Sequence, residues 1–352
     1  MSLAISWAER GLIPDSLLRF GIRGLLRRRL QRERKRLPNP QEPLHEARDR
    51  FGQGPLAVHT DAANEQHYEV PARFFELALG PQLKYSSCYY QAPSDDLATA
   101  EQAMLDLTMQ RAELANGQRI LELGCGWGSL TLAMARRFPE AQITAVSNSA
   151  PQRRFIEERC AQHSITNVTV ITQDLRTFDI DQHFDRIVSV ECFEHMRNYH
   201  ELLRRIAGWL GENGRCFIHV FCHRDLAYPF EDEGRGDWMA RHFFTGGTMP
   251  AFDLFSQFDD NLHCLQQWAV DGTHYARTSR HWLENMDRNR QEIIELFRAD
   301  LGPAQARIQF NRWRMFFMAC EECFGFRHGQ EWLVGHYLFT HSSLAAQTGV
   351  QI

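Results

Sequence analysis

The chain has 352 residues, of which 43% are hydrophobic, and its formal net charge at pH 7 is −5. This length and apolar content can bury the core of one large domain or of two ordinary ones, so the composition predicts a globular protein. No apolar run approaches the roughly 18 residues that span a bilayer, which argues against a transmembrane helix. Glu9 stands where a secretory signal would be apolar, which argues against such a signal. We therefore expect a cytoplasmic location.

The nine cysteines do not form a recognisable disulfide or metal pattern. Their number is odd, and the chain is too long to depend on disulfides for its stability, so we expect reduced thiols. Cys320 and Cys323 have CxxC spacing, but no second pair or histidine cluster completes a zinc site, and the flanking residues look helical. The sequence therefore predicts no metal site.

The first helical pattern, within residues 1–36, has a strongly basic part. Residues 19–36 contain nine Arg or Lys residues and one Glu, and apolar residues recur there at helical spacing, which predicts an amphipathic helix. Its basic face could be a solvated surface of the domain itself, which we favour, or could contact an anionic membrane or nucleic acid. The proline-containing segment 37–43 ends this helix.

Strands and helices alternate after residue 116. A helix predicted over residues 97–115 precedes the apolar strands RILEL, QITAVS, NVTVIT, FDRIVSV and RCFIHVFC, with helical segments between most of them. Such alternation indicates βαβ units, so we predict an α/β fold with a doubly wound parallel sheet. Residues 1–115 would form a helical N-terminal cap, residues 116–352 the α/β domain, and residues near 223–262 a helical insertion that covers its ligand cleft.

The stretch RILELGCGWGSL, residues 119–130, places Gly124, Gly126 and Gly128 directly after the first strand. Glycine permits backbone conformations that other residues avoid, and it lets a ligand approach the peptide groups. A dinucleotide site would need G-x-G-x-x-G and an acid after the second strand, where this chain has Ser147, and the GK[ST] of a P-loop is absent. The glycines therefore predict another cofactor, with a simple tight turn as the alternative.

Several motifs resemble one family. LELGCGWG resembles motif I of the class I S-adenosylmethionine-dependent methyltransferases, and VSNSAPQ (146–152) resembles the loop after the second strand in the cyclopropane fatty acid synthase superfamily. HYEVPARFFELALGPQLKYSSCYY and VECFEHM are similar to two further motifs of that superfamily. The resemblance runs from about residue 60 to the end of the chain. It implies a Rossmann-like class I methyltransferase fold with S-adenosylmethionine as the cofactor.

The resemblance also implies which residues contact the cofactor. In this superfamily a Ser or Thr and a Gln replace the usual ribose-binding acid, and Ser147 and Gln152 match those positions. The full predicted cofactor set is Tyr85, Ser86, Glu122, Gly124, Gly126, Gly128, Ser147, Asn148, Gln152 and Asp174.

Two branches of the superfamily compete for the function. The cyclopropane and mycolic acid synthases methylenate lipid double bonds, whereas the coclaurine N-methyltransferase-like group methylates small amines. FTGGTMP, DGTHYARTSRHWLENMD, WRMFFMACEECFGF, EWLVGHYLF and the N-terminal IPDSLLRFGIRGLLRRRL resemble the second group. We therefore predict a small-molecule N-methyltransferase, with a lipid cyclopropane synthase as the alternative. VECFEHM and the acidic net charge disfavour a third reading, a non-catalytic cofactor-binding or nucleic-acid-binding protein.

Methyl transfer to an amine at neutral pH needs a group that accepts a proton, since most alkyl amines are then ammonium ions. ECFEHM places Glu191, Glu194 and His195 directly after the strand FDRIVSV, at the cleft edge that holds the glycine loop. The resemblance implies that Glu194 and His195 carry catalysis, and Glu191 is a third candidate. The alternative, strongest for Glu191, is that these acids only favour the start of a helix.

His219 and Tyr275 match residues that help to hold a bicarbonate base in the lipid synthases. The cysteine of that site aligns with Ser87 here, and the thiol moves to Cys88. This departure argues against bicarbonate-dependent lipid chemistry. We place His219 and Tyr275 in the substrate pocket, with a purely structural role as an equal alternative.

Aromatic side chains could form the acceptor pocket, because their faces attract ammonium and sulfonium cations. The candidates are Tyr68, Glu69, Phe316, Phe324 and Trp332, and core packing is an equal alternative for the last three. The expected partner is a small-molecule amine and not a nucleic acid. Peripheral membrane contact through the basic helix and formation of a homodimer are left open.

Overall fold

The computed structural model describes residues 3–37, 43–58, 70–231, 234 and 237–347. Its first helices are α1 (Leu3–Glu9), α2 (Asp15–Arg36), α3 (Pro43–Phe51), α4 (Ala72–Ala78) and α5 (Leu97–Arg111). The Asp96 side chain caps α5 by accepting the Thr99 amide at 2.8 Å. The predicted helix over residues 97–115 is therefore confirmed except for its last turn.

A central sheet follows. The strands of the chain are β1 (Arg119–Leu123), β2 (Gln142–Ser147), β3 (Val168–Thr172), β4 (Phe184–Val190), β5 (Leu210–His223), the short β6 (Tyr228–Pro229) and β7 (Thr248–Met249), β8 (Leu262–Val270) and β9 (Trp332–His341). Seven of them form one sheet in the order β3-β2-β1-β4-β5-β9-β8. The first five pair in parallel, which confirms the doubly wound α/β fold. The five strands from which the parallel sheet was predicted account for this part of it; β9 and β8 extend the sheet beyond β5, and β9 runs antiparallel to both of its neighbours.

Three helices connect the parallel strands: α6 (Ser129–Arg137), α7 (Ala150–Gln162) and α8 (Tyr199–Trp209). The strand order reverses at β1, because the chain continues to β2 and β3 on one side and to β4 and β5 on the other. The carboxyl ends of β1 and β4 therefore border a crevice, which is where open α/β sheets bind their ligands.

The predicted insertion separates β5 from β8. Its described residues form β6, β7, a short helix, α9 (Trp238–His242), and a 3₁₀ turn, and most of them are irregular, so this part is not the helical cover that we expected. The chain then forms the long helices α10 (Gly272–Arg288) and α11 (Arg290–Phe324), and α12 (Ser342–Gln347) follows β9. Gly302, with φ of 75°, kinks α11 directly before Pro303.

The N-terminal and C-terminal helices share one apolar core. Phe74 and Phe75 of α4 pack in it with Trp282 of α10 and with Trp313 and Phe317 of α11, and all five are almost fully buried. Helices from the two ends of the chain are thus joined through this core. Among the described residues, no helix has both the length and the apolar character that a membrane crossing would require.

The basic helix α2 is attached to this core. Leu18, Ile22 and Leu26 pack against it, whereas Leu25 is 48% exposed. Ion pairs join Arg19 to Glu321 and Glu322, Arg23 to Glu322, Arg29 to Asp237 and Arg34 to Glu331. The favoured prediction, that the basic helix packs on its own domain, is confirmed.

Candidate active site

A cavity of about 1070 Å³ lies at the crevice between β1 and β4. It is lined by the glycine loop, by residues 83–86 and by residues that follow β4. Residues of α2, the insertion, α10 and α11 also line it. The volume is at the upper end of the range of roughly 300–1,000 Å³ for small-molecule sites, so a cofactor and a small acceptor can share it.

The three glycines of the loop all have left-handed backbones, with φ of 79°, 52° and 81° for Gly124, Gly126 and Gly128. A Cβ on Gly124 would lie 2.6 Å from the Cys192 sulfur, and one on Gly128 would lie 2.6 Å from the Ile156 side chain. Nothing among the described residues lies within 4 Å of a Cβ on Gly126, which lines the cavity. The close packing of this turn accounts for Gly124 and Gly128, whereas Gly126 leaves space for a ligand.

The loop after β2 presents Gln152 to the same cavity. The Ser147 hydroxyl donates to Gln152 Oε1 at 2.6 Å, which fixes the amide, and Gln152 is 1% exposed. Gln152 Nε2 and the hydroxyl of the cavity residue Ser129 have no hydrogen-bond partner among the described residues. Buried polar groups are rarely left unpaired, so these two atoms fit the hydroxyls and amine of a nucleoside cofactor such as S-adenosylmethionine.

The other predicted cofactor residues divide into two groups. Tyr85, Ser86, Glu122, Gly124, Gly126 and Gln152 line the cavity, whereas Gly128, Ser147, Asn148 and Asp174 are not part of the lining that the described residues form. Gly128 packs closely against Ile156, and Ser147 holds the Gln152 side chain, so both stabilise the loops that line the cavity. Asp174 accepts hydrogen bonds from the amide and guanidinium of Arg176, so its carboxylate is engaged locally. Burial raises the pKa of Glu122 to about 8, and Thr131 donates to it at 2.5 Å.

Glu191 receives three hydrogen bonds on the cavity wall. Its Oε1 accepts from the Ser87 amide at 2.9 Å and from His219 Nε2 at 3.2 Å, and its Oε2 accepts from the Tyr275 hydroxyl at 2.6 Å. Its backbone has φ of 46°, a left-handed conformation that is strained for a residue with a side chain. The structure thus brings Glu191, His219 and Tyr275 together, although they lie far apart in the sequence.

Burial has the largest effect on the pKa of Glu191 and raises it above the usual carboxyl range. The nearby Lys84 ammonium and the hydrogen bonds from Tyr275 and Ser87 oppose this increase. A carboxylate with a raised pKa is a stronger base, so Glu191 can accept a proton from an ammonium group in the cavity.

Glu194 and His195 lie in a 3₁₀ turn (Phe193–His195) after β4, but they face different surroundings. His195 lines the cavity, with its ring centroid 5.0 Å from that of Phe244. Glu194 is fully buried, accepts the Phe221 amide at 2.9 Å, and is not part of the cavity lining that the described residues form. Burial and the charge of Glu191 raise the pKa of Glu194 well above the usual range, which favours its neutral form.

Ser87 contacts Glu191 through its backbone and not through its hydroxyl. The Ser87 hydroxyl donates to the Cys88 carbonyl at 3.2 Å. Cys88 is fully buried, and burial raises the pKa of its thiol to about 12. Neither side chain is arranged to bind an anion beside Glu191, which agrees with the sequence argument against bicarbonate.

The aromatic candidates also separate. Phe316 and Phe324 line the cavity, and Phe324 stacks on Tyr275 with centroids 4.2 Å apart. Trp332 is fully buried and donates its indole N–H to the Tyr228 hydroxyl at 2.9 Å, so it belongs to the core. The remaining two candidates, Tyr68 and Glu69, lie outside the described residues.

Sequence reasoning missed Lys84 as a cavity residue. It is 2% exposed, and its ammonium donates to the Ser86 hydroxyl at 2.5 Å and to the Ser87 carbonyl at 2.7 Å. Lys84 therefore holds the segment whose amide binds Glu191. The sequence feature that could have indicated Lys84 is its position as the single charged residue in LKYSSCYY. Phe221, Phe230 and Phe244 also line the cavity, and Phe230 and Phe244 belong to the insertion.

The two CxxC cysteines lie on α11 and line the cavity. Burial raises the pKa of Cys320 and Cys323, so both thiols are neutral. No group of three or more His, Cys, Asp or Glu side chains within the described ranges could hold a metal ion.

The fold and the cavity define a class I S-adenosylmethionine-dependent methyltransferase. The family model described as mycolic acid cyclopropane synthetase matches residues 58–332, and the chain belongs to this family. It is 37% identical to the (S)-coclaurine N-methyltransferases of Thalictrum flavum subsp. glaucum and Papaver somniferum. These matches cover 94% of this chain and 93% and 95% of the relatives.

A solved structure gives the same result. The crystal structure of coclaurine N-methyltransferase bound to N-methylheliamine and SAH has a TM-score of 0.91 and 35% identity, over 96% of this chain and 98% of that one. The cyclopropane-fatty-acyl-phospholipid synthase of Escherichia coli (strain K12) is 29% identical over 77% of this chain and 66% of that protein. The similarity to the N-methyltransferases is thus both higher and more extensive.

Proposed function

We propose that this chain transfers the methyl group of S-adenosylmethionine to the nitrogen of a small-molecule amine. The observation that carries the proposal is the Glu191 carboxylate, which lines the cavity with its side chain 8% exposed and with three donors already in place. A cation is the natural counterpart of such a group. The relatives named for N-methylation, and the neighbour that holds N-methylheliamine, support an amine acceptor.

The cofactor, when bound, supplies an electrophilic methyl group on a sulfonium. Gln152, Ser129 and the glycine loop would hold its nucleoside part. Glu191 would attract the acceptor ammonium and take one proton onto its carboxylate, which frees the nitrogen lone pair for attack on the methyl carbon. The cavity walls exclude water and fix the approach of the two reactants.

The aromatic part of the cavity would select the acceptor. Phe221, Phe244, Phe316 and Phe324 line it, and their ring faces attract cations and cover apolar surface. Such walls suit an amine with a rigid apolar body. A long hydrated polyamine would lose its water without gaining partners.

The function is tested by incubating the purified protein with labelled S-adenosylmethionine and a panel of amines, which includes cyclic secondary amines with fused aromatic rings and linear alkyl amines. In parallel, vesicles of unsaturated phospholipid are supplied with and without bicarbonate. We expect label on the nitrogen of aromatic cyclic amines and no methylene added to the lipid. Cyclopropane formation that depends on bicarbonate would assign the chain to the lipid synthases instead.

A further inference from the structure

A line of hydrogen bonds connects the Glu191 carboxylate to the guanidinium of Arg111. Arg111, at the end of α5, lies 2.7 Å from His336 Nδ1. His336 Nε2 lies 2.9 Å from His219 Nδ1, and His219 Nε2 lies 3.2 Å from Glu191 Oε1. The two histidines are directly paired across β5 and β9.

The direction of every bond in this line follows from Arg111. A guanidinium has only donors, so His336 Nδ1 must accept, and the ring proton of His336 must be on Nε2. His336 Nε2 then donates to His219 Nδ1, which leaves the ring proton of His219 on Nε2. His219 therefore donates to Glu191 Oε1. A single permanent cation thus fixes the tautomers of two imidazoles.

The surroundings keep both rings neutral. His219 and His336 are fully buried, and burial together with the charge of Arg111 lowers the pKa of both rings well below the usual range. The Arg111 guanidinium lies 4.8 Å above the ring of Trp268, and no carboxylate among the described residues pairs with it. Its charge is therefore directed at His336.

We propose that Arg111 and His336 are positioning residues that lock His219 as a hydrogen-bond donor and thereby keep Glu191 an ionised acceptor. The effect on catalysis rests on the proposed function, whereas the assignment of the two tautomers rests only on the hydrogen bonds. Because Arg111 cannot accept a proton, this line cannot carry one away from Glu191. The proton taken from the acceptor must leave through the cavity.

A comparison of pH profiles between variants requires that the titratable and charged groups that face Glu191 are the same in each protein. They are Lys84 and Cys88 in the segment before α5, Glu194 in its own loop, His219 on β5, Tyr275 on α10 and Cys320 on α11. Substitutions at Arg111 and His336 leave all of them in place.

The first test reads the tautomers directly. Nitrogen-15 NMR of the histidine-labelled full-length protein distinguishes a protonated Nε2 from a protonated Nδ1, and His336→Gln assigns the signals. We expect two neutral rings, both protonated at Nε2 and both unchanged from pH 6 to pH 9. An Nδ1-protonated His219, or a ring that titrates in this range, would overturn the proposal whether or not any amine is methylated.

The second test compares matched variants. In His336→Gln the side-chain oxygen can accept from Arg111 and the amide can donate to His219, whereas His336→Leu breaks the line. Arg111→Lys keeps a donor, and Arg111→Met removes it. When the line is broken, the ring proton of His219 can move to Nδ1, and Nε2 can then accept a hydrogen bond from the protonated carboxyl of Glu191. This stabilises the protonated form, so the pKa of Glu191 should rise.

The measured quantity is the pH dependence of kcat/KM for the methylated amine. We expect the acid limb to move upward by about one pH unit in His336→Leu, less in Arg111→Met, and not at all in His336→Gln and Arg111→Lys. A merely structural role would lower activity at every pH without moving the limb. Equal acid limbs in His336→Leu and His336→Gln would contradict the proposal.

Discussion

Two glutamates three residues apart receive opposite electrostatic environments. Glu191 faces the cavity with three hydrogen-bond donors, whereas Glu194 is enclosed in the protein with one amide donor and the charge of Glu191 nearby. Burial raises the pKa of both carboxyls, and at Glu191 the Lys84 ammonium and the donors Tyr275 and Ser87 oppose that rise. Pairs of acids with divergent environments commonly divide the acid and base roles of a site.

Glu191→Gln should lower kcat for amine methylation by about 10²-fold or more, because the amide cannot take a proton from the acceptor. Affinity for the demethylated cofactor should be nearly unchanged. The loss should shrink as pH rises, since free amine then accumulates without assistance. Wild-type activity rises as pH passes upward through the raised pKa of Glu191, and the variant should lack that limb. Rate profiles from pH 6 to pH 10 and calorimetry check both points.

Glu194→Gln should keep kcat within about 3-fold of wild type, because an amide resembles the neutral carboxyl that burial favours at this position. Glu194→Ala should lower the free energy of unfolding by about 1–3 kcal/mol, since the buried Phe221 amide loses its acceptor. Urea denaturation and initial rates separate the two effects. A large loss of kcat in a folded Glu194→Gln protein would favour the sequence-based prediction that Glu194 works with His195.

At the scale of helices and strands, the sequence predicted those features that depend on local pattern. The apolar strands, the intervening helices and the glycine loop have periodicities and spacings that fix their type. Strand direction has no such signature, so the antiparallel β8 and β9 were missed. Arg111 and His336 were also missed, because 225 residues separate them and only sheet pairing brings His336 beside His219. For Glu194 the motif match placed a residue near the cavity but could not show that it is fully buried and absent from the cavity lining that the described residues form.

Gly126→Ala should weaken binding of S-adenosylhomocysteine by about tenfold or more, because a Cβ there enters the cofactor space and the backbone is left-handed. Gly117→Ala is the matched control: Gly117 is also left-handed, with φ of 77° and open space around its Cβ position, but it does not line the cavity. Both variants should lose about 1–2 kcal/mol of stability from backbone strain. Only Gly126→Ala should lose affinity in calorimetry, and equal affinities would contradict the role of the glycine loop.

At the scale of the whole molecule, the cavity depends on helices from both ends of the chain. Apolar residues of α2 line it, and arginines of α2 form ion pairs with acids of α11, the insertion and the segment before β9. The exposed side chains of Trp7, Leu17 and Phe20 lie on the same N-terminal helices. Peripheral membrane contact through the basic helix and formation of a homodimer stay predictions, as does the cytoplasmic location.

Glu321 tests whether the ion pairs between α2 and α11 stabilise the closed cavity. Its side chain is 6% exposed and accepts hydrogen bonds from Arg19 at 2.6 Å and Arg280 at 2.7 Å. Glu321→Gln removes the carboxylate that Arg19 and Arg280 share, and Arg19 keeps only its second pair, with Glu322, so we expect the free energy of unfolding to fall by about 1–3 kcal/mol. Glu295→Gln is the control, because Glu295 pairs with Arg298 in an exposed contact and should change stability by less than about 0.5 kcal/mol.

The same pair of variants shows whether α2 also shapes the acceptor site. If the ion pairs hold α2 against the cavity, Glu321→Gln should raise KM for the amine several-fold while leaving the affinity for S-adenosylhomocysteine unchanged, since the predicted cofactor residues that line the cavity belong to other elements. Raising the salt concentration should weaken the wild-type ion pairs and reduce the difference in KM between the two proteins. Parallel losses of amine and cofactor binding would instead mean that Glu321 stabilises the fold as a whole, with no particular role for α2 at the acceptor site.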